Sequence, residues 1–322
     1  MNAAVIGAGI AGLRLAQRLD RAGVNVRVFD KARGPSGRLA TRRSDGGQFD
    51  HGAQYFTARV PSFVAQVEDW RRRGVVARWE GKVARLEEGA VEIERDSPDR
   101  YVGTPRMSAI ARDLADGLRA DFSTRIVGAK RERDAWELAV EGGDAIGDLD
   151  AVLMAVPAPQ AVPLLSGSPE LAKRAEEVRL RPCHALMVRF AEDVDVEFDA
   201  AFVRSPSLGW IAHNASKPGR DAAPTWVLHS TADWSDAHLE VSAEGLRDVL
   251  LEALADALGR PLPETTFSAS HRWLYARAES KGDGSPLWDA ERRIGACGDW
   301  VQGDRVEDAF ASAETLASSI LA

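Results

Sequence analysis

The chain of 322 residues carries 41 basic and 49 acidic side chains, and its net charge of -8 argues against a nucleic-acid surface. Two cysteines are too few for a disulfide framework or a metal cage, so no metal is expected, and a 34.9 kDa chain buries about three quarters of its surface without either. No apolar run approaches the ~20 residues of a membrane span, and the first apolar stretch enters a glycine motif instead of a cleavage site, so a soluble cytoplasmic protein without a membrane partner is expected.

Residues 3–6 form an apolar run that predicts a buried strand. Behind it Leu13, Ala16 and Leu19 recur at helical spacing, Gly23 closes the helix, and residues 24–29 alternate as a second strand ending at Asp30. A glycine-rich basic loop runs from 33 to 52. A helix over 61–73 follows, with Phe63, Val67 and Trp70 on one side. Alternation at 75–79, 82–86 and 91–94 predicts short antiparallel strands, and Ile110, Leu114 and Leu118 predict a helix over 107–118. Strands are expected at 126–129, 136–140 and 151–156, the last closed by Pro157 and Pro159. From about 162 to 278 the character changes. This stretch holds a charged helix over 169–178, several strands, a long amphipathic helix over 243–258, and Trp210, Trp226, Trp234 and Trp273. The end returns to the opening pattern, with a strand over 293–297, a Gly298-Asp299 turn and a helix over 306–321.

The opening is a βαβ unit of about thirty residues around Gly7-Ala8-Gly9-Ile10-Ala11-Gly12. Gly7 permits the turn off the strand, Gly9 lets a pyrophosphate approach the backbone, and Gly12 lets helix pack on strand. The helix N-terminus offers free N–H groups and partial positive charge to phosphates. Asp30, 18 residues beyond Gly12, would accept from a ribose hydroxyl. The second Gly-Asp turn and helix near the far end suits a long dinucleotide. FAD is therefore preferred to NAD, with Asp299 at the ribityl chain and the last helix, from Val306, directing its dipole there. The expected fold is α/β. A discontinuous Rossmann-like FAD-binding domain is built from 1–74, 104–161 and 285–322. It carries an inserted α+β substrate domain, on an antiparallel or mixed sheet, from 75–103 and 162–284.

Taken together, Gly7 to Gly12, Asp30-Lys31, Gly37-Arg38-Leu39-Ala40-Thr41 and Asp50-His51-Gly52-Ala53-Gln54-Tyr55-Phe56 resemble the flavin amine oxidase superfamily. More narrowly, these segments are similar to bacterial renalase-like proteins. Val102-Gly103, Met107-Ser108-Ala109-Ile110, Trp210 through Lys217-Pro218, residues 271–277 and residues 297–306 share that likeness. The resemblance implies non-covalent FAD. It places Lys31 in the cofactor loop, His51, Gly52, Ala53, Gln54 and Tyr55 beside the isoalloxazine, and the Val127 backbone at the adenine. Arg38, a guanidinium on a glycine-flanked loop, suits bidentate pairing with pyrophosphate oxygens, whereas Arg33 and Arg43 read as a solvated face. Two departures stand out. Ser36-Gly37 replaces a Gly-Gly pair, and His51 stands where an apolar residue is usual. The cysteine context of covalent attachment is absent, and Cys297 reads as core.

Within the superfamily, hydride passes from a substrate C–H bond to flavin N5, and dioxygen reoxidises the flavin to give hydrogen peroxide. An amine substrate usually needs an aromatic cage and a lysine-held water. The lysines Lys31, Lys82, Lys130, Lys173, Lys217 and Lys281 and three tyrosines support such a cage poorly. The renalase-like resemblance implies a different donor, the 2- and 6-dihydro isomers of NAD(P)H. These lose hydride readily because aromaticity returns, so no catalytic side chain is assigned. Gln54, Tyr55, Tyr101, His184, Trp210, His271, Trp273 and Tyr275 are candidates for the pocket. His271, Trp273 and Tyr275 alternate onto one side of a strand, a side that core packing would equally explain. Lys217 and Arg220 read as a surface loop, or as partners of a substrate phosphate. The alternatives are a flavin amine oxidase or desaturase, a monooxygenase sharing both end motifs, and a flavoprotein without turnover.

Overall fold

The computed structural model describes residues 1–95 and 98–322. The opening apolar run is a strand, β1 (Asn2–Ile6), whose last four residues are buried, as expected where both faces of a sheet are covered. Across its six-stranded sheet the order is Leu287–Asp289, Ile294–Ala296, Ala151–Met154, β1, β2 (Asn25–Phe29) and Arg119–Asp121. Neighbouring strands are parallel except for the outermost pair, Leu287–Asp289 with Ile294–Ala296. Two ends of the chain and a segment from its middle are thus placed side by side. The fold is α/β with a Rossmann-like dinucleotide-binding domain.

Helix α1 (Ile10–Arg21) buries Leu13, Leu15, Ala16 and Leu19 in the same core as Phe310, Ala313 and Leu316 of the last helix, Val306–Leu321. Arg14 and Arg18 of α1 both pair with Glu314 of that helix. The closeness of α1 to β1 depends on Gly12, where a Cβ would overlap the Gly7 carbonyl oxygen and lie 2.8 Å from the Ala155 Cβ.

A seven-stranded sheet runs Thr265–Ala278, Leu180–Phe190, Thr225–Ser230, Leu208–His213, Ala200–Val203, Val83–Glu87 and Ala90–Ile93. One face packs Leu186, Val188 and Leu228 against Leu246, Leu250 and Leu254 of the helix Ala243–Leu258. The other contributes Val83, Ala200, Trp210 and Ala212 to the core that also holds β1 and α1. A three-stranded sheet (Ile126–Glu132, Ala135–Val140, Ile146–Leu149) completes the main framework.

Local sequence misses two features here. The strand Val83–Glu87 is antiparallel to Ala90–Ile93 but parallel to Ala200–Val203, a direction that alternation within one strand does not encode. The helix expected over 107–118 is only Ala109–Ala115. Gly117 takes a left-handed φ of 76° just beyond it, and the Met107 N–H is drawn away to the Asp50 carboxylate. Among the described residues no helix is long and apolar enough to cross a membrane.

Replacing Gly12 by alanine forces backbone apart at the centre of this framework. The expected loss is about 3 kcal/mol of unfolding free energy, read as a lowered thermal midpoint, despite alanine's better helix propensity.

Candidate cofactor and substrate site

At the C-terminal end of β1 the backbone prepares an anion site. Gly7 adopts a φ of 112°, and Gly9 caps α1 with no side-chain bond and no acidic residue in the first turn. A Cβ at Gly9 would meet only the Gly37 Cα, at 3.9 Å, so the space before the helix N-terminus is open to a pyrophosphate. Asp30 closes β2 with one carboxylate oxygen accepting from the Ala8 N–H (2.6 Å) and the other from the Ala32 N–H (2.7 Å). That fixes the carboxylate and leaves lone pairs for a ribose. Lys31 beside it is exposed, as is the Val127 side chain.

Arg38, on the loop that follows β2, reaches the Gly298-Asp299 turn from the other end of the chain. Its guanidinium donates to both Asp299 oxygens, one at 2.8 Å, and to the Ala276 carbonyl at 3.0 Å. Gly52 lies where a Cβ would overlap the Arg38 carbonyl oxygen, which itself accepts from the Ala53 N–H at 2.9 Å. Arg38, Gly52, Ala53 and Asp299 therefore form one wall, with the Arg38 guanidinium on a carboxylate where the sequence suggests a phosphate. The helix that Val306 opens is served by its own acid, since Asp308 accepts from the Asp304 (3.1 Å) and Arg305 (3.0 Å) N–H groups. Its dipole is thus partly answered before any ligand reaches it.

The substrate side is a row of cross-strand partners on the seven-stranded sheet. Phe202 opposes Trp210, Trp210 opposes His229, His229 opposes Ala185, and Ala185 opposes His271. Side chains at paired positions share a face, so this row looks toward the segment 50–56. The His229 Nε2 lies 3.1 Å from the His51 carbonyl, and the Trp273 indole donates to that carbonyl at 2.8 Å. His51 stacks on Trp273 with ring centroids 5.2 Å apart and meets His271 edge-on at 4.9 Å. Burial, then the charge of neighbouring His271, pushes His51 down to about 4, and burial pushes His229 down to about 4, so both are neutral near pH 7. Tyr55 packs on Trp210 (5.7 Å) and Trp79 (6.1 Å), giving an aromatic wall.

Beneath that wall lies a buried charged cluster. Lys217 is enclosed, its Nζ donating to Gln54 Oε1 at 3.0 Å and lying 5.9 Å from the Trp79 ring centroid. Gln54 is fixed in turn, because its amide nitrogen donates to the Asp50 carbonyl and, at 3.0 Å, to the Gly52 carbonyl. Burial alone would push the Asp50 carboxyl up, but Lys217 and Arg220 beside it outweigh that and hold it below the usual carboxylate range. Burial pushes Lys217 down to about 8 against the pull of Asp50.

Several expectations are corrected here. Lys217 and Arg220 are not a surface loop, since both side chains are buried at Asp50. His184 falls on the opposite face from Trp210, with its Nε2 3.1 Å from the His238 carbonyl and its ring edge-on to Trp234. One residue of offset along a strand is enough to exclude it from the pocket. Tyr101 is core, packed on Phe56 with centroids 5.9 Å apart. Tyr275 is half-buried and lies where the register of its strand shifts, between the paired positions Trp273 and Arg277. Sequence reasoning sees Trp79 only as part of a strand, Asp50 only as the first residue of the 50–56 motif, and Lys217 as a surface loop or a phosphate partner, so it does not foresee the buried cluster they form.

The family described as NAD(P)-binding Rossmann-like domain matches residues 5–67, and that described as flavin containing amine oxidoreductase matches residues 79–321. A structure titled putative protoporphyrinogen oxidase, from Exiguobacterium sp. 255-15, superposes with a TM-score of 0.82 at 16% identity, covering 99% of this chain and 98% of that one. Wild-type putrescine oxidase bound to putrescine superposes with a TM-score of 0.73 at 14% identity, covering 100% and 99%. A double mutant of putrescine oxidase, from a structure-based redesign of its cofactor binding, gives a TM-score of 0.75 at 14% identity, with 99% and 98% covered. At these identities the likeness is one of fold.

Two measurements check this site. Gly9→Ala should leave the thermal midpoint of the cofactor-free protein nearly unchanged while abolishing retention of the dinucleotide through gel filtration, the reverse of Gly12→Ala. His229 is depressed from 6.5, so the unfolded chain binds more protons than the folded one between about 6.5 and 4. Stability should therefore fall as pH drops through that window, and His229→Gln should flatten the decline in a melting series.

Proposed function

Because the chain belongs to the flavin-containing amine oxidoreductases and its cofactor is FAD, we propose that it oxidises dihydronicotinamide dinucleotides reduced at the 2 or 6 position. The products would be ordinary NAD(P)+ and, with dioxygen as final acceptor, hydrogen peroxide. FAD supplies the two-electron acceptor when bound. The glycines at 7, 9 and 12 and Asp30 fit its adenosine diphosphate half. Arg38, Gly52, Ala53 and Asp299 fit its other half. Non-covalent attachment accords with the two cysteines, whose thiols are both pushed up to about 12 by burial and so stay protonated and unreactive.

One observation carries the choice of substrate. The enclosed cation of Lys217 stands behind Gln54 at the foot of the Tyr55–Trp79–Trp210 wall, and the nearby Asp50 carboxylate is already bonded to Arg220. A flat, electron-rich ring bearing phosphates suits an aromatic wall, and a positive centre behind Gln54, on the cofactor's side of that wall, would favour the electron density that arrives on the flavin with the hydride. No general base is required of the chain, because loss of hydride restores an aromatic pyridinium. Tyr55 and Trp210 would stack and orient the ring, and Gln54, with its amide locked, would hold the floor rigid.

A small amine is the second reading, since the aromatic wall and the buried lysine supply what the count of lysines and tyrosines did not promise. Such a substrate would have to enter as the free base, because an ammonium faces an uncompensated cation.

Anaerobic stopped-flow mixing of the flavin-loaded enzyme with 6-dihydro-NAD, 2-dihydro-NAD, NADPH and putrescine separates these readings. Fastest bleaching by a 2- or 6-dihydro isomer is expected. Fastest bleaching by putrescine would install the amine reading, and fastest bleaching by NADPH a reductase or monooxygenase. No bleaching at all would leave the flavin without turnover. With the favoured donor, the bleaching rate should decline as pH rises through about 8, where Lys217 gives up its charge. Lys217→Met should be slower near neutral pH by about tenfold and lose that pH dependence.

A further inference from the structure

Lys217 and Arg220 compete for one carboxylate, and the division is uneven. Arg220 sets Nε at 3.1 Å and Nη2 at 2.5 Å from Asp50 Oδ2, while its Nη1 donates to the carbonyls of Gly103 and Pro218, both at 2.6 Å. The other oxygen, Oδ1, is filled by the Thr41 hydroxyl (2.6 Å) and the Met107 N–H (3.1 Å). Lys217 Nζ stops 3.8 Å from Oδ2, outside hydrogen-bonding distance, and donates to Gln54 instead.

We propose that Arg220 is a positioning residue for the charge of the site: by gripping Asp50 with two donors it keeps Lys217 out of hydrogen-bonding contact with that carboxylate, weakening their pairing, and leaves the lysine facing Gln54 and the cofactor beyond. A guanidinium can do this where a second lysine could not. Its planar fork serves the carboxylate and two backbone carbonyls at once, so the geometry resists rotation.

Among the described residues, the remaining groups around Lys217 add no opposing charge. Gln54 is a neutral amide, Trp79 presents a ring face, and His229 from the neighbouring strand is neutral near pH 7. The cluster thus holds two cations and one carboxylate. Removal of the guanidinium frees Oδ2, and a movement of about 1 Å brings the ammonium into hydrogen-bonding range. The lysine would then hold its proton more tightly, and the net charge beneath the cofactor would fall to zero.

The redox half of this inference rests on the FAD reading above, whereas the lysine's own titration does not. Only six lysines occur in the chain (Lys31, Lys82, Lys130, Lys173, Lys217 and Lys281), so isotope-labelled lysine gives few NMR signals. The Lys217 signal is assigned by its loss in Lys217→Met. In the flavin-loaded protein it is expected to titrate near 8. Arg220→Met should raise its proton affinity by about tenfold or more, and Arg220→Lys, which keeps the charge without the fork, by less.

The flavin midpoint potential, followed against pH, should inflect where Lys217 titrates, move with it in Arg220→Met, and lose the inflection in Lys217→Met. A Lys217 midpoint unmoved in both Arg220 variants, each shown to be folded by thermal melting, overturns the proposal. If Arg220→Met fails to fold, Arg220→Lys alone decides. A lysine midpoint that moves while the potential ignores it upholds the grip of Arg220 and refutes the placement of Lys217 near the flavin. Failure of this inference is thereby distinguished from failure of the functional reading.

Discussion

The arrangement depends on the enclosed carboxylate of Asp50. It ends the hairpin strand Gly47–Asp50, receives the Met107 N–H that precedes the helix Ala109–Ala115, and binds Arg220 from the loop after the strand Leu208–His213. Its own N–H donates to Asn214 Oδ1 at 3.1 Å, while the Asn214 amide nitrogen donates to the Gln48 carbonyl at 2.9 Å. Asn214 thus extends the hairpin edge as a backbone partner would. Three segments far apart in the chain converge on one charged group, each with a hydrogen bond that is costly to leave unmade in a buried setting. The position of residues 51–56 against the substrate sheet follows from that convergence.

On the face of the sheet that carries the candidate pocket, neighbouring rows of side chains differ in character. Cross-strand registry places Phe202, Trp210, His229 and His271 in one row, and the neighbouring row is Ala200, Ala212, Val227, Met187 and Ala269. The second row is small or aliphatic and lets the sheet approach the cores it packs on. The first is aromatic and imidazole, and its His229 holds the His51 carbonyl together with the indole of Trp273. A polar site can therefore sit beside a dry core without leaving the backbone of 51–52 unsupported.

How much of this the sequence reveals depends on whether backbone or side chains make the site. The cofactor end was legible because glycine is demanded by geometry. Gly7, Gly12 and Gly52 each occupy a position where a Cβ would strike backbone, and Gly9 faces open space where an anion fits. The helices Ala243–Leu258 and Val306–Leu321 lie where the sequence places them, and in the structure Ser242 and Gly259 cap the former. The substrate end was not legible. His184 and His271 look alike in sequence, and only the pairing of Ala185 with His271 puts them on opposite faces. Lys217 lies in an Asn-Ala-Ser-Lys-Pro-Gly-Arg run whose composition describes a solvated turn. Its burial is imposed by Asp50, far earlier in the chain, and nothing local signals it.

That burial also bears on why the lysine is there. Enclosing an ammonium that must share its carboxylate with a guanidinium costs several kcal/mol, and a methionine of similar length would fill the same space against Trp79 without that penalty. The neighbouring groups reduce the cost only in part, through the Asp50 carboxylate at 3.8 Å, one amide oxygen and one ring face, and burial still pushes the lysine down to about 8. Stability alone would not select such a residue. A fixed charge held a few ångströms below an aromatic wall is instead useful where electron density changes during reaction, because it needs no reorganisation when that happens. The strain of the cluster is therefore best understood as belonging to the chemistry of the site rather than to the fold, which Arg220 and Asp50 would hold together by themselves.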